Sequence, residues 1–291
     1  LIPDRNVTGL YGDGATGKSQ VALQLAVAMV TGTDWLLSEP TPGRVLYLSA
    51  EDELDEHHRR LVDIVRHRAF GLSDLRGLAI ADMAGRDAVL AGPKPGGAGL
   101  VWTPLFRRIE RRVQTLQPRL LILDNLADVF GGDEVNRVQA RQFIGGLRSL
   151  ALSQSLAVLL LAHPSVFGMS SGAGTSGSTG WSNSLRSRLY LRRQKTADGD
   201  EGNPNVRVLE TLKANYAPTG ITWNITWRDG RFVPSAGFGD SLEIGRADAA
   251  VDETFLRLLA RLEAEGRSVS PNPGPTYAPA RMAEQPDAGG V

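Results

Sequence analysis

Eight residues near the start of the chain, Gly12-Asp13-Gly14-Ala15-Thr16-Gly17-Lys18-Ser19, fit the pattern G-x-x-x-x-G-K-[ST]. No other stretch constrains the fold as tightly, because the pattern has physical meaning only between a strand that feeds it and a helix that leaves it. Both neighbours are legible. Val7-Thr8-Gly9-Leu10-Tyr11 reads as a short strand, and Lys18 to Thr31 reads as a helix with Val21, Leu25, Ala28 and Met29 at helical spacing. Backbone N–H groups in such a turn converge on phosphate oxygens, and the helix points its positive end at the same place. The lysine reaches the β- and γ-phosphates, and the hydroxyl that follows holds Mg²⁺. The expected ligands are therefore ATP and Mg²⁺. Gly12, Asp13, Gly14, Ala15, Thr16, Gly17, Lys18, Ser19 and Gln20 are expected around the nucleotide. Gly14 and Gly17 would shape the loop, and Ser19 would face the metal.

Downstream, apolar strands alternate with helical stretches, which implies βαβ units and a mostly parallel sheet. Pro40-Thr41-Pro42-Gly43 breaks the chain before a buried-type strand at Arg44–Ser49, and Ala50–Glu56 then runs into a helix through Arg68. A short strand is expected near Leu78–Ile80, and a Gly-, Ala- and Pro-rich surface excursion over residues 84–99. Pro104–Gln117 is an amphipathic helix with Leu105, Ile109, Val113 and Leu116 inward and Arg107, Arg108, Arg111 and Arg112 outward. Leu120–Asp124 and Leu156–Ala162 are continuous apolar strands on either side of a helix over Asp133–Leu152. Ser165–Ser184 is mostly Ser, Gly and Thr and reads as a flexible loop with no core of its own; a loop of this length is functional or a tolerated insertion. Strands are expected at Leu189–Arg193 and Val206–Lys213, followed by a hairpin of Ile221–Trp227 and Arg231–Val233 closed by Asp229-Gly230.

From Ala236 the character changes. A Gly-rich passage leads to Val251–Glu265, where Phe255, Leu258, Leu259 and Leu262 share one helix face, and Ser270–Pro286 is Pro-rich and irregular. Two parts are expected: an ATP-binding domain over residues 1–235, and over 236–291 a linker with the start of a truncated helical module. The first residue, Leu1, lies within a few residues of the first strand, as in a fragment or a processed chain.

Composition narrows the classes. The 291 residues are 42% hydrophobic and 22% charged, enough for one large domain with an appendage. There is no cysteine, so disulfides, thiolate zinc sites and cysteine nucleophiles are excluded, and a reducing cytoplasm is the expected location. No apolar run approaches the ~18 residues of a membrane span, and no signal peptide is visible. Formal net charge is zero, so contact with nucleic acid must come from local basic clusters.

Several side chains outside the glycine turn have the right chemistry to join it. Leu121-Ile122-Leu123-Asp124 is an apolar run ending in an acid, so that Asp124 would lie at the strand's C-terminal edge as a Mg²⁺ partner. Glu51 closes the strand at 44–49, where a carboxylate could orient attacking water. Asp52 and Glu53 stand beside it and fit a dipole-favoured helix start. His163 ends the strand after Asp124 and is either a γ-phosphate contact or a plain loop histidine. The cluster Arg186, Arg188, Arg192, Arg193 and Lys195 could serve phosphates, or could be charges that blunt an edge strand.

Taken in order, Gly12–Ser19, Tyr47–Glu51, Leu121–Asp124, Leu159–His163, Gly177–Asn183 and Leu212–Tyr216 resemble the RecA-like ATPases, and most closely the RepA-type hexameric replicative helicases of plasmids and phages. The resemblance spans roughly residues 1–235. It implies an α/β fold with a RecA-like core, a mostly parallel sheet flanked by helices, a C-terminal β-hairpin and a helical appendage. It implies ATP hydrolysis coupled to movement on single-stranded DNA by a homo-oligomeric ring, a hexamer, with no membrane partner. Glu51 then matches the catalytic glutamate, Asp124 the Walker B acid and His163 the γ-phosphate sensor. The Ser/Gly loop matches the channel-lining region that binds DNA. Lys213 and one of Arg186, Arg188 or Arg207 would complete the neighbour's ATP site. Lys213-Ala214-Asn215 departs from the Lys-x-Arg of DnaB-type helicases, so the arginine stays open among the three. Two other outcomes share the core: a filament-forming recombination or repair mediator that binds DNA without translocating, and a kinase.

Overall fold

The structure, a computed structural model, describes residues 1–164 apart from 37, 67 and 98, residues 179–235 apart from 197, 198 and 217, and residues 254–285 apart from 271–273, 275 and 284. Contacts between Cα atoms divide the chain into Leu1–Ser235 and Ala236–Val291.

In the first unit the strands are β1 (Val7–Tyr11), β2 (Val45–Ser49), β3 (Leu78–Asp82), β4 (Ala91–Pro93), β5 (Leu100–Trp102), β6 (Leu120–Asp124), β7 (Ala157–Ala162), β8 (Ser187–Arg193), β9 (Val206–Ala214), β10 (Thr222–Arg228) and β11 (Arg231–Pro234). The helices are α1 (Lys18–Thr31), α2 (Leu54–Val65), α3 (Pro104–Leu116), α4 (Leu126–Val129), α5 (Arg137–Gln154) and α6 (Thr179–Ser184). β1, β2, β6 and β7 are buried along their whole length, as strands covered on both faces must be. Nine strands form one sheet in the order β11-β10-β9-β8-β1-β7-β6-β2-β3. The six from β8 to β3 run parallel; β9, β10 and β11 continue the sheet antiparallel. This is a RecA-like core.

The register sets the site. Tyr11 pairs with Ala162 and Tyr190, and Ser49 pairs with Asp124, so the loops that leave β1, β2, β6 and β7 all open on the same edge. α1 and α2 pack on one face over Leu10, Tyr47, Ile122 and Leu161. α3, α4, α5 and α6 cover the other over Tyr11, Leu48, Leu123 and Leu160. Side chains alternate between these two cores along every strand, as the period of a pleated strand requires.

Three expectations for this unit are corrected. The excursion at 84–99 is not wholly on the surface: Ala88, Leu90 and Ala91 are buried, and β4 and β5 pair as a small antiparallel ribbon. The Ser/Gly loop does reach the core. Its last part is α6, where Trp181 is 1% exposed and donates from Nε1 to the Glu134 carbonyl at 2.9 Å; residues 165–178 lie outside the described residues. The basic strand β8 is not an edge strand, because it lies between β1 and β9.

In the second unit, residues 254–264 are helical, and Leu258 and Leu262 are buried with Phe255 and Leu259 against them, the face expected from spacing. Ser270–Pro286 is not irregular throughout. Ala278–Ala283 forms a short helix whose Met282 joins that cluster. The Gly-rich passage after Ala236 lies outside the described residues.

Among the described residues no helix is long and apolar enough to cross a membrane.

Candidate active site

The glycine turn leaves β1 and enters α1 through backbone conformations that few residues tolerate. Gly17 stands at φ 95°, and a Cβ there would lie 2.6 Å from the Phe232 ring. A Cβ on Gly12 would collide with the Leu191 carbonyl. Gly14 faces open space; the other positive φ in the turn belongs to Ala15, at 57°. Lys18 is 7% exposed, and its Nζ donates to the carbonyls of Gly12 at 2.7 Å and Asp13 at 3.1 Å. His163 Nδ1 stands 3.3 Å from the same Nζ, so the loop after β7 reaches the turn. Burial pulls the Lys18 amine below its usual value, against the attraction of Asp124, Glu51 and Asp13. Burial and then the Lys18 charge likewise hold His163 below the usual imidazole range.

Asp124 ends β6, two strands from β1, and is 1% exposed. Burial lifts its carboxyl to about 6, while hydrogen bonds from Tyr47 and Ser19 work to lower it. Tyr47 Oη donates to Oδ2 at 2.6 Å. The buried phenol needs a partner, and the carboxylate is the one at hand. The next peptide bond, Asp124–Asn125, is cis.

Glu51 and its acidic neighbours have different surroundings. Asn125, 5% exposed, donates from Nδ2 to Glu51 Oε2 at 3.0 Å. Its Oδ1 accepts from the Asp128 N–H at 3.3 Å and so caps α4. Asp52 instead pairs with Arg60 at 2.7 Å, and Arg60 also holds Glu56 at 2.8 Å. Glu53 is the N-cap of α2. Asp52 borders the same cavity as Glu51, but Arg60 holds it, whereas the Glu51 charge acts on both Lys18 and His163.

Lys18, Ser19, Gln20, Glu51 and His163 line one cavity of about 500 Å³. The antiparallel part of the sheet closes its far side. Gln20 Nε2 donates to the Gly230 carbonyl at 2.6 Å, and Gln24 exchanges two 2.8 Å hydrogen bonds with the Phe232 backbone. Arg207 also lines the cavity, with Nε donating to the Thr16 carbonyl at 3.2 Å. It therefore contacts the glycine turn of its own chain.

Lys213 is not at this cavity. Its Nζ donates to the carbonyls of Ser182 at 2.8 Å and Asn183 at 3.4 Å, beside Arg186 and Arg188. Arg188 Nη1 reaches Ser182 Oγ at 2.7 Å. The other basic residues of β8 pair at the surface, Arg192 with Glu210 and Arg193 with Glu201, each at 3.5 Å.

Sequence reasoning missed Asn125, Tyr47, Arg60 and Trp227. Asn125 carried two signals: it follows the Walker B acid, and it opens an Asn-x-x-Asp helix start. Tyr47 stands in an apolar strand and opens the Tyr47–Glu51 stretch, but nothing in the sequence marks it as the partner of Asp124.

A glycine turn between a buried strand and a helix, at the C-terminal edge of a parallel sheet with a buried acid two strands away, defines a P-loop nucleotide-binding protein with a RecA-like core. A family model described as an AAA domain matches residues 1–169, and the chain belongs to that family. Membership supports ATP binding and ATPase activity. The matched residues take in the turn, Glu51, Asp124 and His163, and stop before β8.

Proposed function

We propose that the chain is a Mg²⁺-dependent ATPase whose site is completed by a neighbouring copy in a ring, a hexamer, and whose hydrolysis drives movement on single-stranded DNA as in RepA-type replicative helicases. The observation that carries it is that Glu51, held by Asn125, lines the same cavity as Lys18. An acid held there, in a family of ATPases, is placed to align water against a γ-phosphate.

The residues present fit ATP and magnesium. The turn offers N–H groups at a helix start and a lysine whose present partners are carbonyls that phosphate oxygens can replace. Asp124 is a buried carboxylate whose ionised form burial disfavours, so a cation beside it would be welcome. Among the described residues no cluster of three His, Cys, Asp or Glu could hold a metal alone. Ser19 and Asp124 would hold Mg²⁺ together with phosphate oxygens and water. When bound, the ion supplies charge to the phosphates.

Lys18 neutralises the β- and γ-phosphates, and His163, beside its Nζ, senses the terminal phosphate from the end of β7. Glu51 takes up the proton of the aligned water or orients it by hydrogen bond, held by Asn125. Lys213 with Arg186 or Arg188 forms a cationic group away from its own cavity, which suits contact with the neighbour's nucleotide. The Ser/Gly stretch proposed to bind DNA lies, over residues 165–178, outside the described residues. Arg207 supports its own turn in this reading and is set aside as the trans arginine.

The test is Mg²⁺-dependent turnover with and without single-stranded DNA. Wild type is expected to be stimulated by DNA. Glu51→Gln is expected to keep nucleotide affinity within about threefold and lose turnover by 10²-fold or more, the usual size of a general-base contribution. Turnover indifferent to DNA, or a Glu51→Gln protein that no longer binds nucleotide, contradicts the proposal.

A further inference from the structure

Trp227 is out of place for its side of the sheet. Along β10 the residues Trp223, Ile225 and Trp227 point to the face that α1 and α2 cover. Ile225 is fully buried and Trp223 packs on the same core. Trp227 follows the same stripe past the end of that core and is 39% exposed. A large aromatic on a core-facing stripe that is left in solvent is the informative kind of exception.

The space it borders is the cavity lined by Lys18 and Ser19. Pro204, Asn205 and Arg207, at and just before the start of β9, line it together with Trp227. The backbone N–H of Trp227 donates to the Asn205 carbonyl at 2.7 Å, which ties this part of β10 to the start of β9, and the ring meets Phe232 edge to face at 5.0 Å. Phe232 in turn lies against Gly17 and is tied to Gln24 of α1. A flat apolar ring thus borders the same cavity as the phosphate turn, linked to it through Phe232, with Arg207 in the same lining.

We infer that Trp227 is the stacking platform for the nucleobase of the bound nucleoside triphosphate, with Arg207 and Asn205 at the rim of the same subsite. This rests on the reading of Gly12–Ser19 as the triphosphate site. Stacking on an aromatic ring is tolerant of base identity, so the subsite favours nucleotides over bare polyphosphate without strong discrimination among purines.

The experiment compares the affinity of the full chain for ATP and for inorganic tripolyphosphate, both with Mg²⁺. Wild type is expected to bind ATP the more tightly. Trp227→Ala is expected to weaken ATP roughly 10- to 100-fold, the range of one base–aromatic stack, and to leave tripolyphosphate unchanged. Trp227→Phe is expected to recover most of the loss. Lys18→Ala is expected to lose both ligands. An unchanged ATP-to-tripolyphosphate ratio in Trp227→Ala overturns the stacking assignment while the triphosphate site stands. Full retention of both ligands by Lys18→Ala overturns the triphosphate site itself. Loss of both ligands in Trp227→Ala with no recovery in Trp227→Phe assigns the ring to holding the hairpin, and also overturns the inference.

Discussion

Asp124 sits where its charge is least welcome. Its carboxyl is lifted by burial from the ordinary 3.8 to about 6, even with Tyr47 and Ser19 bonded to it. The folded chain therefore holds a proton on this group over a range, between about 4 and 6, in which the unfolded chain has lost it. Stability from this group is fully present below the unfolded value and is lost as pH rises through the folded one. A shift of this size corresponds to at most about 3 kcal/mol. Asp124→Asn keeps the shape without the charge. In the nucleotide-free protein it is expected to raise stability by about 1–3 kcal/mol at pH 8 and by almost nothing at pH 4. Denaturant unfolding at the two pH values measures this. A variant less stable than wild type at pH 8 would contradict the account of Asp124 as a charge held against its environment. Asn125 adds the complementary lesson, since one amide both orients Glu51 and caps α4.

At the scale of elements, the contact that matters most is between the β10–β11 hairpin and the first turns of α1. Gly17 has to be glycine twice over, once for its φ of 95° and once because Phe232 occupies the space of a side chain. Gly17→Ala combines left-handed backbone strain with overpacking, together about 2–4 kcal/mol. It is expected to lower stability by that amount and to weaken ATP by tenfold or more through the displaced turn. Thermal unfolding and nucleotide titration check both, and a neutral Gly17→Ala would mean the hairpin does not brace the turn. The nine strands of the main sheet, the amphipathic α3 and the β10–β11 hairpin were legible in sequence, because period and turn chemistry are local; the β4–β5 ribbon was not. What was not legible depended on partners far along the chain. Trp181 stands among small polar residues, and only its contact with Glu134 and the cluster around Phe143 explains why it is buried. Arg207 read as a finger for a neighbour, and its bond to the Thr16 carbonyl joins residues 191 apart in sequence. Glu51 could not be told from Asp52 until Arg60 was seen to hold the latter.

At the scale of the molecule, the proposed reading gives the site in Leu1–Ser235 an acid for water, Glu51, a lysine for phosphate, Lys18, and an acid for the metal, Asp124, all in one chain. Its second group of cations, Lys213 with Arg186 and Arg188, is bonded to α6 and lies outside the cavity. Charge compensation in the transition state by a cation supplied from a neighbour contributes 10³–10⁵ to turnover in related phosphoryl-transfer sites. In the proposed ring, assembly is then a condition of catalysis. The most direct measurement is ATP turnover per chain as a function of protein concentration, in the presence of single-stranded DNA. The expected result is a low rate at dilution that rises steeply over the concentrations at which the chain self-associates, and then levels. A rate per chain that stays constant from monomer to assembly would contradict the shared site.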